Sequence, residues 1–256
     1  MIIDGKQIAE RVYADLGFRS LTLGIVIVGS DAVTDSFVRA KERGAAKVGV
    51  TVVREVIPES ASTEEALAAL QSLANKTDGI IVQLPLPSQI DTEKILAAIP
   101  PEKDVDGISS DPVVRPPVAA AVEEILKQNQ VFVSGSNAVV VGSGRLVGKP
   151  CAELLLDLDA DVTVLQKGDT LESLKEADVI VLGAGNPGMI LPEHIKDGVV
   201  LIDAGTSESS GKVVGDADPS CAEKCSLFTP VPGGVGPVAI AMIFKNLFKL
   251  AHRRSI

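Results

Sequence analysis

The sequence predicts an α/β fold, with buried parallel strands shared between two lobes. Three observations predict it. Short runs rich in Val and Ile recur along the chain without strict polar alternation, which suits strands covered on both faces. Helix-like stretches separate most of them, the pattern that joins parallel strands. Turn-rich segments at Asp111-Pro-Val-Val-Arg-Pro-Pro117 and Thr229-Pro-Val-Pro-Gly-Gly-Val-Gly-Pro237 mark off an inserted second lobe. An all-helical reading fails, because the β-branched runs are too short and too often ended by Gly or Pro.

In chain order, a helix over about residues 5–15 leads to a strand at Leu23–Val28, a helix over 34–48 and a strand at Val50–Val53. A helix over 63–75 follows, for which Ser62-Thr-Glu-Glu65 offers a cap. Next come a strand at Gly79–Val82 and helices over 91–97 and 117–128. The second lobe alternates strands at Ala138–Val141, Val162–Leu165, Val179–Leu182 and Val199–Ile202 with a helix over 147–158. A last helix over 238–252 returns to the first lobe. The expected domains are therefore 1–117 plus 238–256, and 118–237.

A chain of 256 residues with 46% hydrophobic content can bury a large core. Its formal charge of −10 argues against nucleic-acid and anionic-membrane partners, so a small acidic ligand needs local Lys or Arg. Cys151, Cys221 and Cys225 have no CxxC spacing and only two His accompany them, which supports neither a disulfide scaffold nor a metal site. No signal-like start and no apolar run near the roughly 18 residues of a membrane span are read, and the cytoplasm fits best.

Six segments carry chemistry. The 229–237 loop is stiff and bare: Pro fixes φ and Gly admits close ligand approach, so Val231, Pro232, Gly233 and Gly234 read as a preformed wall. In the second lobe, Gly142-Ser-Gly-Arg-Leu-Val-Gly148 joins a strand to a helix with GxGxxxG spacing. That layout places a pyrophosphate at the helix N-terminus, making Gly142, Ser143, Gly144, Arg145, Val147 and Gly148 cofactor candidates. The next strand ends in Gln166-Lys167 where an NAD site often has an acid, which favours NADP, while Asp169 keeps NAD open. In the first lobe, Phe37 and Lys41 are i and i+4 on one helix face, either a ring and an amine on a flat ligand or a core Phe beside a snorkelling Lys. Spacing alone favours the second. Gln83 follows a buried strand, and Asp104 and Asp106 precede Gly107 as site carboxylates or plain turn acids.

Taken together, these segments resemble the bifunctional methylenetetrahydrofolate dehydrogenase/methenyltetrahydrofolate cyclohydrolases. The resemblance spans nearly the whole chain, through Ile3-Asp-Gly-Lys6, the helix carrying Lys41, Val82-Gln-Leu-Pro-Leu-Pro87, Pro101-Glu-Lys-Asp-Val-Asp-Gly107, Val147-Gly-Lys-Pro150, Asn186-Pro-Gly188 and the 229–237 loop. It implies two α/β lobes around a cleft, tetrahydrofolate along the first, a Rossmann-like second lobe holding NADP or NAD, a homodimer and no metal. It implies hydride removal from methylenetetrahydrofolate, then hydrolysis of the methenyl product. By the same resemblance, Lys41 is the catalytic lysine, Gln83 its orienting partner and Asp106 the pterin-binding carboxylate. Gly233 also lies beside the cofactor.

The chain departs from the family pattern at several places. Phe37 stands where Tyr is usual, Gly142-Ser143-Gly144 replaces Gly-Arg-Ser, and Gln166-Lys167 replaces His-Ser. Arg115-Pro-Pro117 stands near a usual Cys-Thr-Pro, and Ala239 stands for Thr. Two alternatives follow. A non-catalytic folate- or dinucleotide-binding protein would explain Phe37 and Ser143, and a dehydrogenase of small carbonyl acids would share only the second lobe.

Overall fold

The apolar runs of the first half assemble edge to edge. In the computed structural model, which describes residues 1–29, 31–209 and 212–254, β1 (Leu21–Val28) lies between β2 (Val50–Ile57) and β3 (Gly79–Val82), all parallel. Helices α2 (Ala32–Val48), α3 (Thr63–Ala74) and α4 (Thr92–Ala97) connect and cover these strands. Val26, Leu70, Leu73, Ile80 and Ile95 form one buried cluster of this sheet and its helices. The cap expected before α3 is present in full: Ser62 Oγ accepts from the Glu65 N–H, and the Glu65 carboxylate accepts from the Ser62 N–H. β2 runs beyond the expected Val53 and pairs with β1 along its whole length, from Leu21 opposite Val50 to Val28 opposite Ile57. As the edge strand it exposes Thr51, Arg54 and Val56, so its second half carries no continuous apolar run.

A second parallel sheet contains β4 (Asn137–Val141), β5 (Asp161–Leu165), β6 (Val179–Leu182), β7 (Val200–Asp203) and β10 (Leu227–Thr229), in the order β10-β7-β6-β4-β5. Strand β10 is only three residues long and was not expected. Helices α5 (Pro117–Gln128) and α6 (Gly148–Asp157) accompany this sheet, and β8 (Ser207–Ser209) and β9 (Lys212–Val214) form a separate antiparallel pair. Ile180, Leu182, Leu201, Leu174 and Cys221 lie in its core.

The two sheets belong to two compact units. The five-stranded unit takes Met1–Arg11 with Val118–Ala239, and the three-stranded unit takes Val12–Pro117 with the C-terminal residues from Ile240. Residues 1–11 thus pack with the second sheet, whereas the sequence assigned them to the first lobe. The cause is backbone pairing before α1 (Gly5–Leu16): Ile3 N–H donates to Phe228 O at 2.9 Å, and Phe228 N–H donates to Met1 O at 2.9 Å. The N-terminus adds itself to β10. Helix α7 (Val235–Arg253) begins earlier than expected because Pro237 falls in its first turn, where a missing N–H costs nothing.

Candidate active site

Helix α2 buries Val38, Ala45 and Val48 and carries Lys41 and Phe37 elsewhere on its surface. Phe37 is 45% exposed, which removes the reading as a core ring. The Lys41 amine donates to Gln83 Oε1 at 2.9 Å, although the two residues are 42 positions apart. Gln83 sits just past β3, its N–H donating to Val26 O at 2.9 Å. Its own amide is oriented by Nε2 donating to Leu84 O at 2.9 Å, which turns Oε1 toward the lysine. Burial holds the Lys41 amine below its usual pKa, and the nearby Asp106 carboxylate partly offsets this.

The two turn acids have separate tasks. Asp104 is fully buried, and its Oδ2 accepts from Ile108 N–H at 2.8 Å and Ser109 N–H at 2.7 Å. It is the turn acid. Asp106 is half-buried and free of that task, its carboxyl raised by burial to about 6, with Lys41 lowering and Asp104 raising it. Gly107 takes a φ of +62°, and a Cβ there would lie 2.6 Å from Val114 O. From the far side, buried Asn246 on α7 donates through Nδ2 to Val105 O and Arg115 O, each at 2.9 Å. Asn246 was missed in the sequence, since an Asn within an apolar helix carries no sign of two carbonyls more than 130 positions away.

This electrostatics has a measurable consequence. A carboxyl whose pKa rises from 3.8 to about 6 on folding binds a proton that the unfolded chain releases, so its contribution to stability is lost as pH rises through that window. Asp106→Asn is therefore expected to melt a few degrees above the wild type at pH 7.5, with a narrower gap at pH 5. Equal midpoints at pH 7.5 would show that burial does not burden this carboxylate.

In the five-stranded unit, residues 142–148 form the turn between β4 and α6. Gly148 opens α6 so close to the strand that a Cβ would lie 2.0 Å from Gly142 O. Gly142 has a φ of +101° and faces Gly183 O, where a Cβ would come within 2.6 Å. A Cβ on Gly144 would meet nothing within 4 Å. Val147 caps α6 without a side-chain hydrogen bond; in the first turn Lys149 N–H donates to Gly144 O at 3.1 Å and Pro150 has no N–H to offer. Ser143, Gly144 and Arg145 are exposed, as are Gln166 and Lys167 just past β5. Asp169 is used locally: its Oδ2 accepts the Gln166 N–H at 2.7 Å. These residues fit a dinucleotide at the carboxyl end of a parallel sheet.

The 229–237 loop is held by hydrogen bonds at its start and in its middle. Thr229 Oγ1 accepts from Asp203 N–H at 2.7 Å, Gly234 N–H donates to Pro230 O at 2.7 Å, and Gly5 N–H donates to Gly233 O at 2.9 Å. Val231, Pro232, Gly233 and Gly234 thereby lie in the five-stranded unit, ahead of α7.

Residues 3–106 match the catalytic-domain model of the tetrahydrofolate dehydrogenase/cyclohydrolase family, and residues 116–255 match its NAD(P)-binding-domain model. The chain belongs to the tetrahydrofolate dehydrogenase/cyclohydrolase family. It is 39% identical over 270 aligned residues to the bifunctional protein FolD of Staphylococcus aureus (strain Newman), covering 96% of this chain and 94% of that one. Among solved structures it is similar to the Trypanosoma brucei enzyme complexed with NADP cofactor and inhibitor, with a TM-score of 0.93, 32% identity and coverage of 100% and 98%. The bifunctional enzyme of Campylobacter jejuni gives a TM-score of 0.92 at 31% identity, covering 99% of each chain.

Within this tetrahydrofolate dehydrogenase/cyclohydrolase chain, the three-stranded unit holds Phe37, Lys41, Gln83 and Asp106, and the five-stranded unit holds the 142–148 turn, Gln166, Lys167 and the 231–234 loop. Sequence reasoning missed two further carboxylates. Asp203, buried, accepts Gly205 N–H at 2.9 Å and Ala217 N–H at 2.8 Å, and Asp216, buried, accepts N–H groups from the loop after β6. Burial raises Asp203 to about 6, with backbone donors opposing and Asp216 adding to the rise. Both residues follow short apolar runs, and only their complete burial marks them.

Proposed function

We propose that the chain oxidises 5,10-methylenetetrahydrofolate to 5,10-methenyltetrahydrofolate with NAD(P)+ and hydrolyses that product to 10-formyltetrahydrofolate. The observation that carries the reading is the Lys41 amine, desolvated and held at 2.9 Å by an amide oxygen that is itself oriented by Leu84 O. A dinucleotide, when bound, supplies the hydride acceptor. Oxidation otherwise asks the protein to position the substrate and exclude water. Asp106 accepts hydrogen bonds from the pterin amino and amide groups, and the exposed Phe37 ring stacks on the flat substrate.

Hydrolysis needs proton transfer. A lysine whose pKa is lowered by burial, beside a cationic methenyl substrate, gives up its proton more readily than a solvated one and relays a proton as water attacks. Gln83 holds the amine in place. In this reading the 231–234 loop lines the dinucleotide site of its own unit. NADP is the favoured coenzyme, with NAD as the alternative: Lys167 is exposed past β5, and the nearby Asp169 is engaged by Gln166 N–H. The same reading takes the enzyme as a cytoplasmic homodimer supplying one-carbon units for purine biosynthesis. Family membership supports it, and among the described residues no helix is long and apolar enough to cross a membrane.

A paired assay tests this reading: reduced cofactor formed from methylenetetrahydrofolate with NADP or NAD, and decay of supplied methenyltetrahydrofolate above its spontaneous rate. Both activities are expected, with NADP preferred. Folate binding without either activity would instead establish a non-catalytic binding protein, the reading that Phe37 and Ser143 favour. The Phe37→Tyr variant separates the two further. Restoring a phenol one turn from Lys41 is expected to raise the hydrolysis rate about 2–10-fold, the worth of one added hydrogen bond, and to leave oxidation unchanged. An unaltered hydrolysis rate would remove the hydroxyl from the mechanism.

A further inference from the structure

Asp216 spends both of its oxygens on one turn. Its Oδ2 accepts from Ala184 N–H at 2.7 Å and Gly185 N–H at 3.1 Å, and its Oδ1 accepts from Asn186 N–H at 2.7 Å. That turn leaves the carboxyl end of β6. Strand β4 is flanked by β5 on one side and β6 on the other, so the sheet order reverses between β4 and β6, the place where doubly wound sheets receive their ligands. The 142–148 turn forms one side of this place and residues 183–186 the other. The two sides meet closely, since Gly142 faces Gly183 O.

Each peptide plane sets its carbonyl opposite its N–H. With the N–H groups of 184, 185 and 186 turned inward to Asp216, the carbonyls of Gly183, Ala184 and Gly185 turn away from it, and Gly183 O does point toward the β4 turn. The turn thus offers a row of acceptors at the switch point. Its anchor is packed without slack: a Cβ on Gly205 would lie 2.3 Å from Asp216 Cγ, and one on Gly215 would lie 2.1 Å from Asp203 Oδ2. A buried carboxylate is costly unless fully bonded, and here the three donors that neutralise the cost all come from this turn.

We propose that Asp216 is a positioning residue for the dinucleotide, orienting the 183–185 carbonyls to accept hydrogen bonds from its hydroxyl or carboxamide donors. This rests on the dinucleotide-dependent activity proposed above. In Asp216→Asn, one oxygen becomes an NH2 facing backbone donors, and the turn loses its orientation. NADPH titration of the full-length protein is expected to show about 10-fold or weaker binding, with hydrolysis of supplied methenyltetrahydrofolate within about twofold of wild type. Should that variant not fold, Gly185→Ala tests the same turn from its open side. The methyl has room, with only Ser207 Oγ at 4.0 Å, but φ is +66°, and NADPH binding is expected to weaken about threefold.

Wild-type NADPH affinity in folded Asp216→Asn, or in Gly185→Ala if the first variant is unfolded, would overturn the proposal. So would hydrolysis and NADPH binding falling together with thermal stability, which marks a purely structural carboxylate. Wild-type protein that binds NADPH but turns over no folate would overturn the functional reading alone and leave this one standing.

Discussion

Lys41→Met lowers hydrolysis of supplied methenyltetrahydrofolate by about 10²–10⁴-fold, the usual worth of a positioned proton-transfer group. Met keeps the length and apolar stem of the side chain, so α2 retains its packing and Phe37 its place. What disappears is the amine whose pKa burial holds below its usual value and that donates to Gln83 Oε1 at 2.9 Å. Oxidation suffers less, because it draws on alignment and not on a proton relay. Lys41→Arg is expected to fail almost as badly, since a guanidinium stays charged and cannot serve as the neutral partner. The checking measurement is the decay of methenyltetrahydrofolate above its spontaneous rate. A Met variant hydrolysing at the wild-type rate would remove Lys41 from the chemistry.

Gly148→Ala abolishes measurable dinucleotide binding and costs about 1–3 kcal/mol of stability, the usual range for an overpacked site. The added Cβ would sit 2.0 Å from Gly142 O, 2.6 Å from Gly142 C and 3.0 Å from Ser143 Cα, all backbone atoms with no rotamer to yield. Relief requires α6 to lift from β4, and that lift opens the turn expected to hold the pyrophosphate. Gly144→Ala is the matched control. Its Cβ meets nothing within 4 Å, so its thermal midpoint should stay within about a degree of wild type. NADPH titration and thermal melts of the two variants decide the matter; an unperturbed Gly148→Ala would mean that the close helix–strand approach is not needed.

Much of the fold was legible because buried parallel strands announce themselves as short β-branched runs. Every run expected from the sequence became a strand. The parts that escaped include the second half of β2 at a sheet edge, the three-residue β10, the N-terminal residues that add to it, and the short antiparallel β8–β9 pair. The Ser62 cap of α3 and the glycine spacing of 142–148 were readable because each acts through neighbours in sequence. Phe37 was misjudged on spacing, since i and i+4 fix a shared helix face but not whether that face is covered.

By itself, the sequence determined the α/β class, the order of strands and helices, the glycine turn, and the membership of Lys41, Gln83 and Asp106 in one recognisable pattern. The tertiary structure alone decided which of Asp104 and Asp106 is spent on the backbone, that Lys41 meets Gln83, and that Asp216 and Asn246 hold loops distant in sequence. The physical reason is common to all of these. Local patterns are set by backbone propensity and periodicity, whereas hydrogen-bond partners and pKa values are set by desolvation and by groups that only the packed chain brings within about 3 Å of each other.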